Sequence, residues 1–551
     1  MFTATTNCYQ KLSMKKKLLS GAVALLLLTQ ACRKTEVAEK NTQLPVTTIE
    51  NSSGLRLNAV GDYGTYQVIG AENGKSARIQ NFSIANGGMV ELANYDNAAH
   101  SKWRITYTGN NYYKIMNLGS GKMLESHLFN GQYLLVQVSS RDIDEQLWGL
   151  TEVGNKQYIA VNKASRLAAT LDANGKIKLE AYSGKASQKF GYNELQNTAY
   201  RDDDVVNFFH RRLPSQGSVA FDQGSSIPLT WGANAGKVLW IAEDSFDGSR
   251  LVSATNANLQ CGFFQYNNSV LIQPSLTDWN PDNTPNMTIA NSAQGRPRQV
   301  FDNQPGTDWS WPGVGVEIGD KVYVYNGEGK GLGITNQSLF ELKQEAGTQW
   351  QVKRTTPAGL SNQTDIGYAV GMVKPGDGYV YSYGSKGVFF NTSNVYVARF
   401  PESDPQDWSF WNGTVWSKTR TSDNKASIAT TQQNVNISYL NGKYIMMVMD
   451  LGWFCDPEKH NIYMATATSP LGPFTSLKYV FTIEDRYRGH LNRYYTPMIH
   501  PEFNNGKNEL LITYSVNFNE CNTGDNCKDN QMESIQYQVK GVRVPYSLIG
   551  L

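Results

Sequence analysis

Several things are scarce in this sequence. Cysteine and histidine each occur 6 times in 551 residues, and 50 Lys and Arg stand against 48 Asp and Glu, a formal net charge of +2. A chain so close to neutral carries no basic field for a nucleic-acid backbone. No apolar run after Leu28 is long enough to span a bilayer. No stretch of ordinary helix length shows a 3.6-residue period. The P-loop, the dinucleotide-binding glycine fingerprint, the Gly-x-Ser-x-Gly elbow and His-Glu-x-x-His are missing, which removes the familiar routes to nucleotide, serine-hydrolase and zinc-peptidase chemistry.

What is present begins with an export signal. Met14-Lys-Lys-Lys17 is basic, and Leu18 to Leu28 is an apolar segment too short for a membrane span. Leu28-Thr-Gln-Ala-Cys32 ends in a small residue followed by cysteine. This resembles a bacterial lipobox, although Gln30 stands where a smaller residue is usual. The resemblance implies a signal peptide over 1–32 whose natural start is Met14, lipidation at Cys32, and a polar tether over 33–54. The address would be the cell envelope: an outer-membrane lipoprotein, periplasmic or surface-exposed, held to the membrane by the lipid. Plain secretion and a retained anchor are the alternatives. Export permits disulfides, and Cys521 and Cys527 bracket a polar loop, so a bridge is expected between them. Cys261 and Cys455 are expected to be buried thiols. No His or second Cys pair stands at zinc-ligand spacing. Asp525, Asn526 and Asp529 offer hard oxygens that suit calcium, but not at EF-hand spacing, and a closed surface loop is the simpler reading. No metal site is assigned.

Residues 55–198 repeat themselves. Tyr66, Tyr113 and Tyr158 open three units at intervals of about 45 residues. Gly74-Lys75, Gly121-Lys122 and Ser165-Arg166 follow, and Trp103, Trp148 and Phe190 close the units. Three strand-rich units, none able to bury a face alone, gain a shared core by threefold packing. The pattern resembles the ricin-type β-trefoil lectins, whose Gln-x-Trp signature stands as Gln146-Leu-Trp148, weakened to Gln188-Lys-Phe190 and lost at Ser101-Lys-Trp103. The resemblance implies sugar binding through an acid just after the Gly-Lys turn. Glu125 is the candidate, with Asn130 or His127 near it, while Arg78 and Ala169 stand near that place in the other units. The competing reading is a solvated acid beside aromatics that only fill the core.

Residues 199–551 read as hairpins throughout: Val314 to Tyr325 about Gly319-Asp320, Tyr368 to Tyr383 about Gly376-Asp377-Gly378, and Asn436 to Val448 about Asn441-Gly442. The fold class expected for the chain is all-β, a β-trefoil followed by a five-bladed β-propeller, with a large sandwich as the alternative.

Two acids in this half stand beside short apolar strands: Asp222 in Ala220-Phe-Asp-Gln-Gly-Ser-Ser-Ile-Pro-Leu229, and Asp244 in Val238-Leu-Trp-Ile-Ala-Glu-Asp-Ser-Phe246. Paired acids are the minimum equipment for breaking a glycosidic bond. With Tyr396-Val-Ala-Arg-Phe400, Trp408 to Trp416, and Tyr495-Thr-Pro-Met-Ile-His-Pro501 leading to Asn517, these motifs resemble the bacterial β-propeller glycosidases. The nearest likeness is a group long catalogued as a domain of unknown function, some of whose members cleave D-arabinan. The resemblance implies that Asp222 and Asp244 are the catalytic pair, with the acid and base roles open. Glu243 is a rival that strand alternation should turn to the opposite face. Glu328 and Asp365 are further acids that the resemblance brings toward the pocket. Arg399, Arg493, His500 and Asn517 are candidate sugar contacts, and Trp311 offers a flat face to a ring.

The expected function is hydrolysis of a polysaccharide, such as a furanose polymer, by carboxylate acid/base catalysis without a cofactor. A carboxylate separation of about 6.5–9.5 Å would invert the anomeric centre, and about 5–5.5 Å would retain it. The alternative is a surface glycan-binding lipoprotein without turnover.

Overall fold

The structure, a computed structural model, describes residues 59–253, 255, 257–288, 298–389, 392–432, 434–452, 460–487, 490–518 and 526–551. The expected signal peptide, Cys32, Cys455, Cys521 and Asp525 lie outside these residues. All described residues belong to one compact unit.

The first 12 strands are β1 (Tyr63–Gly70), β2 (Ser76–Ile79), β3 (Gly88–Ala93), β4 (Trp103–Gly109), β5 (Tyr112–Asn117), β6 (Met123–Phe129), β7 (Gln132–Val138), β8 (Trp148–Glu152), β9 (Gln157–Asn162), β10 (Ala168–Leu171), β11 (Ile177–Glu180) and β12 (Phe190–Leu195). β1, β4, β5, β8, β9 and β12 pair in turn, and β12 returns to β1, so they close on themselves. The hairpins β2–β3, β6–β7 and β10–β11 join across one another. This is the β-trefoil expected from the threefold repeat.

The closing motif explains the repeat. Trp103 and Trp148 are buried, and their indoles donate to the carbonyls of Ala77 and Leu124 at 2.9 and 3.1 Å. Gln146 and Gln188 accept from the N–H of Arg141 and Ser183, both at 2.7 Å, and donate to the carbonyls of Ser139 and Ala181, both at 2.9 Å. A buried amide that satisfies both strand edges is what Gln-x-Trp encodes. In the first unit Ser101 instead donates to Asp96 at 2.8 Å.

The rest is nearly all β; among the described residues, beside three smaller sheets, five antiparallel sheets follow chain order. They start with the strands Ser225–Pro228, Trp309–Ile318, Gly367–Val373, Asn434–Leu440 and Arg493–His500. These first strands touch in sequence, and the last returns to the first, so the sheets are arranged around a closed circuit. The fifth sheet is completed by Tyr200–Arg201, which pairs with Tyr537–Pro545 and so ties the start of this region to its end. The expected hairpins form, including Leu440 opposite Lys443 across Asn441 and Gly442, both at positive φ as a primed turn requires. A short helix, Asp203–Phe209, had no legible period at 7 residues. It is capped by the Asp202 carboxylate and seats Phe208 and Phe209 against Trp240.

The β-trefoil is pressed against this region. At Gly121 (φ +74°) a Cβ would stand 2.3 Å from the Arg201 carbonyl, so the Gly-Lys turn admits no larger residue. Lys122 pairs with Asp203 at 2.5 Å, and Arg104 with Glu509 and Arg201 with Asp485 at 3.0 Å, all buried. Losing one partner of such a pair costs about 3–5 kcal/mol.

The expected Cys521–Cys527 bridge is corrected: Cys527 is bonded to Cys261, 5.8 Å away between Cα atoms. The reason is strand pairing. Asn258–Gln260 runs antiparallel to Gln531–Glu533, and this brings Cys261 beside the 527–530 turn, so it is not a free thiol.

Candidate active site

A register places the two acids. Ser218–Phe221 pairs with Ser245–Asp247, with Phe221 opposite Ser245. Asp222 follows directly on one of these strands and Asp244 directly precedes the other. The Glu243 N–H donates to the Asp222 carbonyl at 3.1 Å, and the Tyr537 hydroxyl lies against both acids, donating to Asp222 Oδ2 at 2.9 Å and lying 3.3 Å from the Asp244 carbonyl. The apolar partners Val219, Ala220, Phe221 and Phe246 are buried and fix the pair from beneath. Two carboxylates so far apart in chain order thus meet through ordinary strand pairing.

Their surroundings differ. Asp222 is 5% exposed. Its Oδ2 accepts from the phenols of Tyr495 (2.5 Å) and Tyr537 (2.9 Å), while its buried Oδ1 has no partner among the described residues. Asp244 is partly exposed, and its Oδ1 accepts from the Trp311 indole at 2.9 Å and the Asn267 amide at 3.1 Å. Burial, reinforced by the charge of Asp244 and opposed by the two phenols, pushes Asp222 up to about 7. Burial pushes Asp244 up to about 6, against the bonds from Trp311 and Asn267. Burial thus raises both acids, and at Asp222 the neighbouring charge of Asp244 adds to it.

Glu243 belongs to this cluster as well. Burial first, then the charges of Asp222 and Asp244, raise it well above the carboxylate range. The strand Val238–Ala242 ends just before Glu243, so the alternation expected of a strand has no pleat to continue there.

The cluster is held by a strained backbone. Gln223 and Thr496 are at φ +50° and +47°, conformations that cost residues with a Cβ, and a β-branched one most of all. Gln223 donates its N–H to Ser515 Oγ and its side-chain amide to the carbonyls of Pro312 and Gly313; Thr496 donates to the same Ser515 oxygen. The strain therefore sits on the residues next to Asp222 and Tyr495 and aims both side chains.

The structure brings some expected residues to this cluster and not others. Trp311 is there, bonded to Asp244 and stacked on Trp309 at 3.9 Å. Asn517 donates to the Tyr495 hydroxyl at 3.3 Å, and Arg493 lies two residues before Tyr495 on the same strand. His500 does not reach the acids. It lies at the far end of that strand, bonded to Ser226 and Thr513, facing a separate cavity of about 400 Å³, and burial holds it down to about 3. Glu328 is corrected to a structural role: Arg354, Ser338 and Asn336 surround its carboxylate and, against its burial, hold it below the usual range. Asp365 is engaged by Arg420 and Lys386 and is likewise held low despite burial. Arg399 lies between the rings of Tyr379 and Trp416, 4.1 and 4.3 Å from their centroids, and serves packing.

In the β-trefoil, Glu125 is 2% exposed and accepts from the Gln146 amide at 2.9 Å and from Arg141, with His127 3.7 Å away. An acid so occupied is not an open sugar grip. The residues that sequence reasoning missed are Tyr537, 315 positions from Asp222, and Asn267. Neither lies in a motif. Tyr495 stood inside a quoted motif without being singled out.

Comparison with known proteins follows the same division. A family model described as a domain of unknown function (DUF5005) matches residues 202–542. One described as ricin-type beta-trefoil lectin domain-like matches residues 55–132. No curated protein matches. Among solved structures, the designed three-fold symmetric protein ThreeFoil is 25% identical, covering 24% of this chain and 99% of its own, with a TM-score of 0.23. The Rhizoctonia solani agglutinin is 16% identical over 25% of this chain and 99% of its own, at 0.22. An exo-beta-1,3-galactanase from Clostridium thermocellum is 19% identical over 25% of this chain and 31% of its own, at 0.24.

Proposed function

Since the chain belongs to the DUF5005 family, we propose that the larger β region of that family is, in this protein, a five-bladed propeller that hydrolyses glycosidic bonds, with the lectin-like β-trefoil as its carbohydrate-binding companion. The closed circuit of five sheets supports the propeller. The observation that carries the hydrolase is the pair Asp222 and Asp244, set at the ends of two paired strands with the Tyr537 hydroxyl against both, and both pushed up by burial.

The roles follow from the surroundings. Asp222, the more buried and the higher in pKa, holds the proton. It delivers it to the glycosidic oxygen as the bond to the anomeric carbon breaks. Asp244, more exposed and pinned by Trp311 and Asn267, is the ionised partner. It takes the proton of the attacking water, or attacks the anomeric carbon itself if the two carboxylates are close enough. On the first route Asp244 gives the proton it has taken to solvent and Asp222 regains one from solvent. On the second, a water deprotonated by Asp222 displaces Asp244 from the anomeric carbon, which frees Asp244 and reprotonates Asp222. Glu243 sets the field in which the pair titrates. A furanose polymer such as arabinan is the substrate class we favour, from the likeness of the sequence motifs. The lipobox-like Leu28 to Cys32 supports a lipid-anchored protein of the cell envelope, and the Cys261–Cys527 bond suits an exported chain.

The test is reducing-sugar release by the chain from about residue 45 onward on arabinans, galactans and host-type glycans, with Asp222→Asn and Asp244→Asn beside it. Product that vanishes in both variants supports the hydrolase. Retained glycan binding without product in any arm favours the second reading, a surface glycan-binding protein, for which the lectin-like match speaks.

A further inference from the structure

A second cleft opens where the β-trefoil meets the larger region. Its volume is about 860 Å³, well within the size of carbohydrate and small-molecule sites. One wall is the loop Gln80 to Met89 of the first trefoil unit. The other is Arg486 with Glu533, Ile535 and Gln536.

The trefoil wall is preformed. Asn81 and Phe82 are both at φ +55°, two consecutive left-handed residues that carry side chains. The loop is held in that shape from behind: the buried Gln137 amide donates to the carbonyls of Ser83 and Ala85 at 2.7 and 3.0 Å, and Ser120 fixes its other end at 2.6 Å. The half-exposed Phe82 ring is braced edge-on by His100 and lies beneath the Arg486 guanidinium, 5.1 Å from the ring centroid. An aromatic wall amid amide, carboxylate and guanidinium groups matches a sugar, which has an apolar face and a polar rim.

The opposite wall leads to the acids. Gln536 accepts from Asn492 at 2.5 Å and directly precedes Tyr537, whose hydroxyl holds Asp222. Asn492 in turn precedes Arg493 on the strand that carries Tyr495. The cleft and the acid pair thus share two adjacent stretches of backbone.

We infer that the junction cleft is a remote subsite for the same glycan chain, so that the substrate is a long polymer held by both parts of the molecule at once. This rests on the hydrolase reading for what happens at the acids, but not for the binding itself. Binding energy from units far from the scissile bond is gained only by chains long enough to reach Phe82.

The test uses the Asp222→Asn protein and ladders of arabinan and galactan oligosaccharides, from disaccharide to decasaccharide, measured by calorimetry. Affinity should rise at least about tenfold with length on one ladder, equivalent to about 1.4 kcal/mol. Phe82→Ala, which removes the wall, and Ala85→Trp, which fills the cleft from an exposed position, should each abolish that gain while the shortest oligosaccharides bind as before. Should Phe82→Ala melt early, Ala85→Trp carries the test. An undiminished gain in both variants, or no gain with length on either ladder, overturns the subsite. Turnover with Asp222 restored is read separately: a length-dependent affinity without product would sink the hydrolase and leave the cleft standing.

Discussion

Glu125 in the β-trefoil and Asp222 in the larger β region are both nearly removed from solvent, and both lie in or next to a short strand. Glu125 is met by a guanidinium and an amide. Asp222 is met by two neutral phenols and by another acid, and one of its oxygens has no partner among the described residues. Glu328, deep in the second sheet, repeats the first case with Arg354. Burial alone therefore does not mark a reactive carboxylate. What separates the two regions is whether a cation accompanies the acid: Arg354 favours the charged form of Glu328 and holds it low against burial, whereas burial beside another acid pushes Asp222 up.

That contrast can be attacked from its strongest side first. Asp222→Asn and Asp244→Asn should each lower kcat/KM by about 10³-fold, the usual yield of a positioned acid or base, without loss of fold by circular dichroism. A variant with near-normal turnover would break the comparison. Next, Arg354→Ala should leave Glu328 buried without its cation and destabilise the protein by about 2 kcal/mol in denaturant titration, since Arg354 is partly exposed and its pairing is screened.

The same comparison predicts a gain at the other site. The folded pKa of Asp222 lies above its ordinary 3.8, so its contribution is fully favourable below about pH 4 and is lost as pH rises through about 7. Asp222→Asn, which cannot ionise, should therefore be more stable than the parent at pH 8, by roughly 2 kcal/mol, and no more stable at pH 3. Melting curves at the two pH values check the sign.

Smaller effects sharpen the picture. With one proton on the pair, turnover should peak between about pH 6 and 7 and fall on both sides, as the pair gains a second proton or loses the one it holds. Tyr537→Phe removes a bond that favours the ionised form of Asp222, so the basic limb of the pH–rate profile should move to higher pH. Glu125→Gln should change glycan retention on an affinity column by less than about twofold, and loss of retention would return Glu125 to the binding site.

Much of this was legible in the sequence, for reasons that name particular residues. The trefoil announced itself because Trp103, Trp148 and the Gln146 and Gln188 amides do the same packing and hydrogen-bonding work in successive units, so similar residues recur at one interval. The hairpins were legible because turns such as Asn441-Gly442 need positive φ. Asp222 and Asp244 were legible as motifs, but their meeting depends on a register between strands that no local pattern shows. Tyr537 and Asn267 were invisible, since Tyr537 reaches Asp222 from 315 positions away in the chain and the Asp244 carbonyl from 293, and Asn267 reaches Asp244 from a bend outside any motif. The Cys261–Cys527 bond was misread for the same reason: closeness in sequence suggested Cys521, and strand pairing chose otherwise. Glu328 and Asp365 were overvalued because a sequence shows an acid and not the arginine that folds onto it.

The most direct measurement is a carboxyl ¹³C NMR titration of aspartate-labelled protein, with Asp222→Asn and Asp244→Asn to assign the two signals. The account predicts two coupled resonances that stay protonated well above the usual carboxylate range, the last proton leaving near pH 7, and an earlier titration of Asp222 once Asp244 is removed. Two independent titrations near pH 4, unmoved by each other's substitution, would contradict it.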